Sequence, residues 1–448
     1  MKNKTLARVF SLDTGEQFAY DGFSNRIITL GPVFKDKTEE EILSSLVSAG
    51  LLGEGGFETA MWDADAEEIT KKRNHNLRDL VLQITRKCNL NCSYCIYSGK
   101  FKGMKPHSDD SMDIDTIKKS IDFFASHSEQ TPECSISMYG GESLLEFPLI
   151  QYAVSYAKEC FKGRKVKYII SSNGTNFSKT VLEWLAENPD VSVAVTLNGN
   201  YQDETRRTVN DKGSLDIILK YIAHIKKGYP QIWENQIEFI VNAASYIQLA
   251  DIRKFYSEVV GKLPATINFI KVDFAEDEDV KKIVFVNEKE NTEIKKQLYD
   301  EYVYKNDEFA DLLFGGDYRA VRDRFVVEND RNAYISSCSP FLFRLFVRTD
   351  GSFNICEKVN DSLNLGDVNN GYNEAEIERL CYGIKEFTDR NCLDCWAQRI
   401  CQFCYQNIID NNGDIITDMP YDFCEKSRRY ALEKLSVFCK KAIYGADD

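Results

Sequence analysis

Leu80-Val81-Leu82-Gln83-Ile84-Thr85-Arg86-Lys87-Cys88-Asn89-Leu90-Asn91-Cys92-Ser93-Tyr94-Cys95 reads as an apolar strand that runs straight into three cysteines. Short apolar runs rich in β-branched residues read as buried strands. Further β-rich runs follow at Ser135–Tyr139, Val166–Ser171, Val191–Leu197, Ile237–Val241 and Ile267–Val272. Amphipathic segments lie between most of them, at Ile114–Ser126, Pro148–Cys160, Lys179–Asn188 and Ser214–Lys227. Strands that alternate with helices imply a parallel sheet covered by helices. The run is too short to close the full eight-stranded barrel. An α/β fold built on a partial (β/α)6 barrel is therefore expected, with its site at the C-terminal strand ends.

The cysteines have the spacing Cys-x3-Cys-x2-Cys. Three thiolates can ligate three irons of a cubane and leave the fourth open, whereas a structural zinc or cluster site takes four protein ligands. The group points to a cluster that binds substrate. A zinc site completed by a distant ligand is the competing reading. Met1–Thr5 lacks a signal-peptide pattern, so a cytoplasmic protein is expected. There thiols stay reduced, and clustered cysteines mean metal more than disulfide. The chain has 14 cysteines, none between Cys160 and Cys338, which implies two metal regions around a cysteine-free body. Its 4 histidines include no metal-ligand pair, which argues against histidine acid–base or zinc chemistry. The net charge of −14 disfavours nucleic-acid binding, which needs basic surface. No apolar run approaches the roughly 20 residues of a membrane span. Small molecules and peptides remain as partners.

The segment Cys88–Cys95, with aromatic Tyr94 before the last cysteine, resembles the signature of the radical S-adenosylmethionine superfamily. Further strand ends agree. Tyr139-Gly140-Gly141-Glu142 resembles the family's Gly-Gly-Glu, which holds the methionine amino group. Ser143 stands where proline is frequent. Ser171-Ser172-Asn173-Gly174-Thr175 resembles the segment that contacts the ribose region. Thr196-Leu197-Asn198-Gly199 resembles Ser-Leu-Asp-Gly, with Asn198 in place of the acid. In Arg206-Arg207, the resemblance assigns Arg207 to the methionine carboxylate, although the spacing to Gly199 is about one residue short. A solvated basic pair is the plain alternative. Asn242 is placed near adenine.

The second cysteine group runs Cys338-x12-Gly351-x4-Cys356, then Cys392-x2-Cys395-x5-Cys401-x2-Cys404, then Cys424. It resembles the SPASM domain, which holds two auxiliary clusters. The usual pattern has three residues before the Cys404 equivalent, where this chain has two. The resemblance assigns Cys392, Cys395, Cys401 and Cys424 to a distal cluster, and Cys338, Cys356 and Cys404 to a proximal one. Tyr334-Ile335-Ser336-Ser337 lacks the extra cysteine many relatives carry, so an open proximal iron is expected unless Cys381 completes it. A zinc ribbon is the competing reading. Cys134, Cys160 and Cys439 read as packing thiols.

The front end reads as short strands at Ala7–Leu12, Gln17–Tyr20 and Arg26–Leu30, then a helix capped by Thr38 with Glu41 at N3. It resembles a RiPP recognition element, a small winged-helix-like α+β module that grips the leader of a ribosomally made precursor peptide. A structural N-terminal extension is the alternative. The expected domains are 1–77 for this module and linker, 78–290 for the barrel, 291–335 as a bridge and 336–448 for the SPASM region. Together the resemblances imply three 4Fe-4S clusters, S-adenosylmethionine, a peptide substrate and an electron donor such as flavodoxin or ferredoxin. They imply hydrogen abstraction from the precursor and closure of a cysteine thioether. A carbon–carbon cross-link, or formylglycine-type oxidation of a protein Cys or Ser, are the rivals.

Overall fold

The computed structural model describes residues 5–445 except 54, 61–69, 71–72, 102, 273–274, 328–330, 334–341, 360 and 420. Cys338 and the Tyr334–Ser337 segment therefore lie outside the described residues. The chain opens with an antiparallel sheet of β1 (Ala7–Ser11), β2 (Gln17–Asp21) and β3 (Arg26–Leu30), followed by α1 (Glu39–Ser48). The capping box forms as read: Glu41 N–H donates to Thr38 Oγ1, and the Glu41 carboxylate accepts from Thr38 N–H.

β4 (Asp79–Thr85) begins the main body, and the short β5 (Leu90–Cys92) lies inside the cysteine loop. Then come α2 (Ile114–Ser126), β6 (Glu133–Gly140), α3 (Phe147–Cys160), β7 (Lys165–Ser172), α4 (Lys179–Glu187) and β8 (Val191–Thr196). β9 (Arg206–Thr208), α5 (Leu215–Gly228), β10 (Ile237–Ala243), α6 (Ile247–Phe255) and β11 (Thr266–Phe269) complete the series. Two helices, α7 (Glu288–Lys305) and α8 (Glu308–Arg322), precede β12 (Arg344–Val347) and β13 (Phe353–Asn354). The helices α9 (Glu374–Asn391) and α10 (Tyr421–Tyr444) end the chain.

The main sheet has the order β11-β10-β8-β7-β6-β4-β12-β13. Every neighbouring pair is parallel except β12 and β13. A mixed α/β fold around a parallel sheet is therefore what forms. All six strands read from the sequence are present. The sheet also continues into β12, paired beside β4 with Arg344 opposite Asp79 and Val347 opposite Leu82. The second cysteine region thus starts as an extension of the first sheet.

β4 is buried on both faces, which explains its nearly continuous apolar sequence. Leu80, Leu82 and Ile84 face the helices and join Ile117, Ile121, Phe124, Ile150 and Val154 in one core. β6 and β8 instead alternate buried and half-buried residues along their length. Asp113 caps α2 through Thr116 N–H at 2.7 Å, and Ser178 caps α4 through Val181 N–H at 3.3 Å.

The N-terminal sheet is packed on both sides. Ala19 and Leu30 meet Ile42, Leu46 and Leu52, while Phe10, Phe18 and Tyr20 meet Val321, Leu435 and Cys439. Lys440 of α10, its side chain buried, pairs with Asp13 at 2.9 Å and Asp300 at 3.1 Å. It ties the first hairpin to α7.

Leu82→Ala should lower stability by about 2–5 kcal/mol in urea unfolding, because its site in the close-packed core cannot collapse. Val259→Ala, at an exposed position, should change it by less than about 0.5 kcal/mol.

Candidate active site

The site forms where β4 ends. Gly140 and Gly141, at the end of β6, lie against the backbone that leads into the cysteine loop. Gly141 N–H donates to Thr85 O at 2.9 Å, and Glu142 N–H to Lys87 O at 2.7 Å. A Cβ at Gly140 would fall 2.0 Å from Thr85 O, and one at Gly141 2.0 Å from Lys87 O. Gly140 also has φ +148°, which side chains disfavour. The glycines therefore admit the chain's own loop, not only a ligand.

The Glu142 carboxylate is fully buried and already engaged. It accepts from Ser172 Oγ at 2.9 Å, Asn173 N–H at 2.6 Å and Leu144 N–H at 3.2 Å. Burial raises its pKa, and these donors oppose the rise. Its role in this arrangement is to lock the ends of β6 and β7 together. Asn173 reaches on to Asn89 Oδ1 at 2.8 Å, and Asn89 donates to Thr175 Oγ1 at 2.8 Å. The β7 end is thereby bonded to the residue after Cys88.

The loop returns through β5, which pairs antiparallel with β9 and sets Arg206 opposite Cys92. This register decides between the two arginines. Arg206 is 6% exposed and donates from Nη1 to the Tyr94 hydroxyl at 2.9 Å. Its buried Nε has no hydrogen-bond partner among the described residues. Burial opposes its charge, but Cys92 and Tyr94 outweigh that and raise its pKa. Arg207 points to the surface and pairs with Asp211 at 2.6 Å. The family resemblance pointed to Arg207, with a spacing about one residue short; the structure brings Arg206 to the cysteines.

Tyr94 also accepts from Asn198 Nδ2 at 3.1 Å and Asn242 Nδ2 at 3.3 Å. Asn198 Oδ1 accepts from Asn242 N–H at 2.9 Å. The amide at 198 thus donates and accepts at once, which a carboxylate could not do. Thr196 ends β8, half-buried.

Cys88, Cys92 and Cys95 lie in one electrostatic neighbourhood. Burial pushes the Cys88 thiol up to about 11 and Cys95 up to about 12, and the neighbouring thiols add to both shifts. Such thiols stay protonated until a metal supplies the opposing charge. Among the described residues, no three His, Cys, Asp or Glu side chains stand close enough to share one ion. The fit to a cluster rests instead on three soft donors from one loop beside a buried cation. Sequence reading missed His107, whose Nδ1–H bonds Arg86 O at 2.9 Å and whose Nε2 lies 3.6 Å from Cys95 Sγ. Only its modest sequence distance from Cys95 hinted at it.

The second cysteine region falls into two sets. Cys392, Cys395, Cys401 and Cys424 share one neighbourhood, with Cys392 pushed up to about 12 and Cys401 to about 11, chiefly by burial. Cys356, raised to about 12 by burial, lies beside Cys404. Cys381 has Arg73, Glu374 and Glu378 as its charged neighbours instead. Tyr97 joins the first site to this region: its hydroxyl donates to Glu357 O at 3.1 Å.

Comparison with known proteins agrees with this geometry. Residues 82–233 match the family model of the Radical SAM superfamily. A Methanocaldococcus jannaschii protein described only as uncharacterized is 31% identical over 154 residues, 34% of this chain and 50% of that protein. The serine-type anaerobic sulfatase-maturating enzyme of Bacteroides thetaiotaomicron is 31% identical over 144 residues, 31% of this chain and 34% of that enzyme. The radical SAM cyclopropyl synthase TigE of Paramaledivibacter caminithermalis is 25% identical over 171 residues, 36% of this chain and 35% of that enzyme. The matches thus span half or less of these relatives. Among solved structures, native anSMEcpe with bound AdoMet superposes with a TM-score of 0.59 at 14% identity, over 82% of this chain and 98% of that one. That likeness concerns the fold.

Gly141→Ala should displace the cysteine loop and lower iron and sulfide bound per reconstituted chain by about one cluster. The circular-dichroism spectrum should stay that of the wild type.

Proposed function

Because residues 82–233 form a radical SAM domain, we propose that the protein is a radical S-adenosylmethionine enzyme that modifies a ribosomally made peptide. The observation that carries this reading is the meeting of Cys88, Cys92 and Cys95 with buried Arg206 at the strand ends. Cys88, Cys92 and Cys95 would hold a 4Fe-4S cluster, which with S-adenosylmethionine would supply the radical chemistry; that chemistry is the cofactor's. The protein's part is to hold and shield it. Arg206 suits the methionine carboxylate, since a guanidinium offers a fork of donors. Gly140 and Gly141 would stand beside the amino-acid end. Ser172, Asn173, Asn198 and Asn242 surround the nucleoside end. Burial of Ser172, Asn173, Asn198 and Arg206 would help to keep water from a reactive radical.

The two further sets suit auxiliary clusters, with Cys392, Cys395, Cys401 and Cys424 on one and Cys356, Cys404 and Cys338 on the other. If these three thiols alone held the proximal cluster, an iron left open there would suit a substrate thiolate. This supports a thioether between a precursor cysteine and a carbon of the same peptide. A low-potential donor such as flavodoxin or ferredoxin supplies electrons. The N-terminal sheet is the proposed grip for the precursor's leader. At its β1 edge, Val9 N–H is taken by the Glu39 carboxylate at 2.9 Å. The β3 edge pairs with no other strand among the described residues, so a peptide added there completes a ladder.

A second reading, formylglycine formation on a protein Cys or Ser, is supported by the relatives named as sulfatase-maturating enzymes. Products separate the two. Anaerobically reconstituted chain given dithionite and S-adenosylmethionine should release 5′-deoxyadenosine. Replacing Cys88, Cys92 and Cys95 together by alanine should abolish that release; continued turnover would overturn the assignment. With a short cysteine-rich precursor, mass spectrometry should show loss of two hydrogens and a new cross-link. A formylglycine product would refute the cross-linking reading while leaving the radical chemistry intact.

A further inference from the structure

The Tyr94 hydroxyl stands between the cysteine loop and three separate strand ends. It accepts from Arg206 Nη1 at 2.9 Å, Asn198 Nδ2 at 3.1 Å and Asn242 Nδ2 at 3.3 Å. Three N–H donors on one phenol oxygen are more than packing of the ring requires. The guanidinium among these donors is almost wholly removed from solvent. A buried charge without directed partners is costly, so a donor left over must meet an acceptor. Nη1 is used by Tyr94, while the buried Nε has no partner among the described residues. Fixing Nη1 leaves the Nε side of the fork for a two-point grip on a carboxylate.

We propose that the Tyr94 hydroxyl is a positioning residue: it aims Arg206 so that its Nε edge receives the amino-acid carboxylate of the S-adenosyl ligand. The aromatic ring alone does not do this. The inference rests on the proposed S-adenosylmethionine site and adds a role for one oxygen atom. The Asn198 and Asn242 amides hold that oxygen at the fixed ends of β8 and β10, so the aim is set by the sheet. Lysine could not replace the arginine, because an ammonium is a point charge without a planar fork.

The test uses anaerobically reconstituted full-length chain, with calorimetric binding of two probes. S-adenosylhomocysteine carries the carboxylate; 5′-methylthioadenosine lacks the whole amino-acid part. Tyr94→Phe should raise the Kd for S-adenosylhomocysteine about tenfold or more, as expected when a bond to a charged group is lost. Its Kd for 5′-methylthioadenosine should stay within about twofold of the wild type. Iron and sulfide contents should match the wild type. Arg206→Lys should show the same selectivity, and the double variant should be no worse than Arg206→Lys alone, because both act through one contact. Equal weakening of both probes, unchanged S-adenosylhomocysteine binding, or additive effects in the double variant would each overturn the positioning role. Failure of the wild-type chain to bind either probe would instead overturn the S-adenosylmethionine site itself, and this inference with it.

Discussion

Two backbones touch where no side chain fits. The amide hydrogens of Gly141 and Glu142 bond to the carbonyls of Thr85 and Lys87. Any Cβ at residues 140 or 141 would lie inside those carbonyl oxygens. The end of β6 therefore fixes the exit of β4, and the exit of β4 fixes where Cys88 starts. From that point the loop is tied down in turn. Asn89 is bonded to the end of β7, Cys92 is laddered against Arg206, and Tyr94 is held from β8 and β10. A loop of irregular backbone thus inherits the rigidity of five strand ends. Metal-binding loops need this, because ligands held loosely lose the affinity that a prepared site provides.

The charges in this region are arranged by the same contacts. Glu142 is buried, but three donors already satisfy it, so it contributes framework. Arg206 is buried beside Cys92, and its Nε has no hydrogen-bond partner among the described residues, so it keeps a donor free on the cysteine side. Burial and the neighbouring thiols raise the pKa of Cys88 and Cys95. A cluster held by the loop would draw those protons off beside a fixed guanidinium.

The parallel sheet was legible in the sequence because each strand carries its own apolar run and each helix its own stripe. The helix Ile114–Ser126 has the bounds that the pattern gives. The continuation into β12 was not legible. Arg344–Val347 is only four residues long, and its partner lies more than two hundred residues earlier. The helix Glu374–Asn391 also escaped notice, since attention to cysteine spacing hid its stripe of Ile377, Leu380, Ile384 and Phe387. At the site, motifs found the strand ends, because glycines and amides there follow short-range rules. The choice between Arg206 and Arg207 was beyond them. It depends on which residue the β5–β9 ladder sets opposite Cys92, and a one-residue shift reverses which side chain points inward. His107 was invisible for a similar reason: only folding brings it to Cys95.

The N-terminal sheet belongs to the same mechanical unit as the far end of the chain. Gly22 leaves no room for a Cβ against Trp396 O, which would lie 2.0 Å away. Arg399, between Cys395 and Cys401, donates to Phe23 O at 2.8 Å. Tyr20 meets Trp396 edge-on at 6.2 Å and bonds Asn25 at 2.7 Å, while Arg324 donates to Asn25 O at 2.8 Å. The turn between β2 and β3 is thus seated on the loop that carries Cys392, Cys395 and Cys401. A module that merely trailed on a linker would reach the site by diffusion, with a cost in effective concentration. Here the edge of β3 is held in a fixed relation to the cysteines, through contacts that a change of that loop would disturb. Whatever peptide β3 pairs with is presented to the rest of the molecule from one direction, and the distance it must span is set by the fold rather than by a tether.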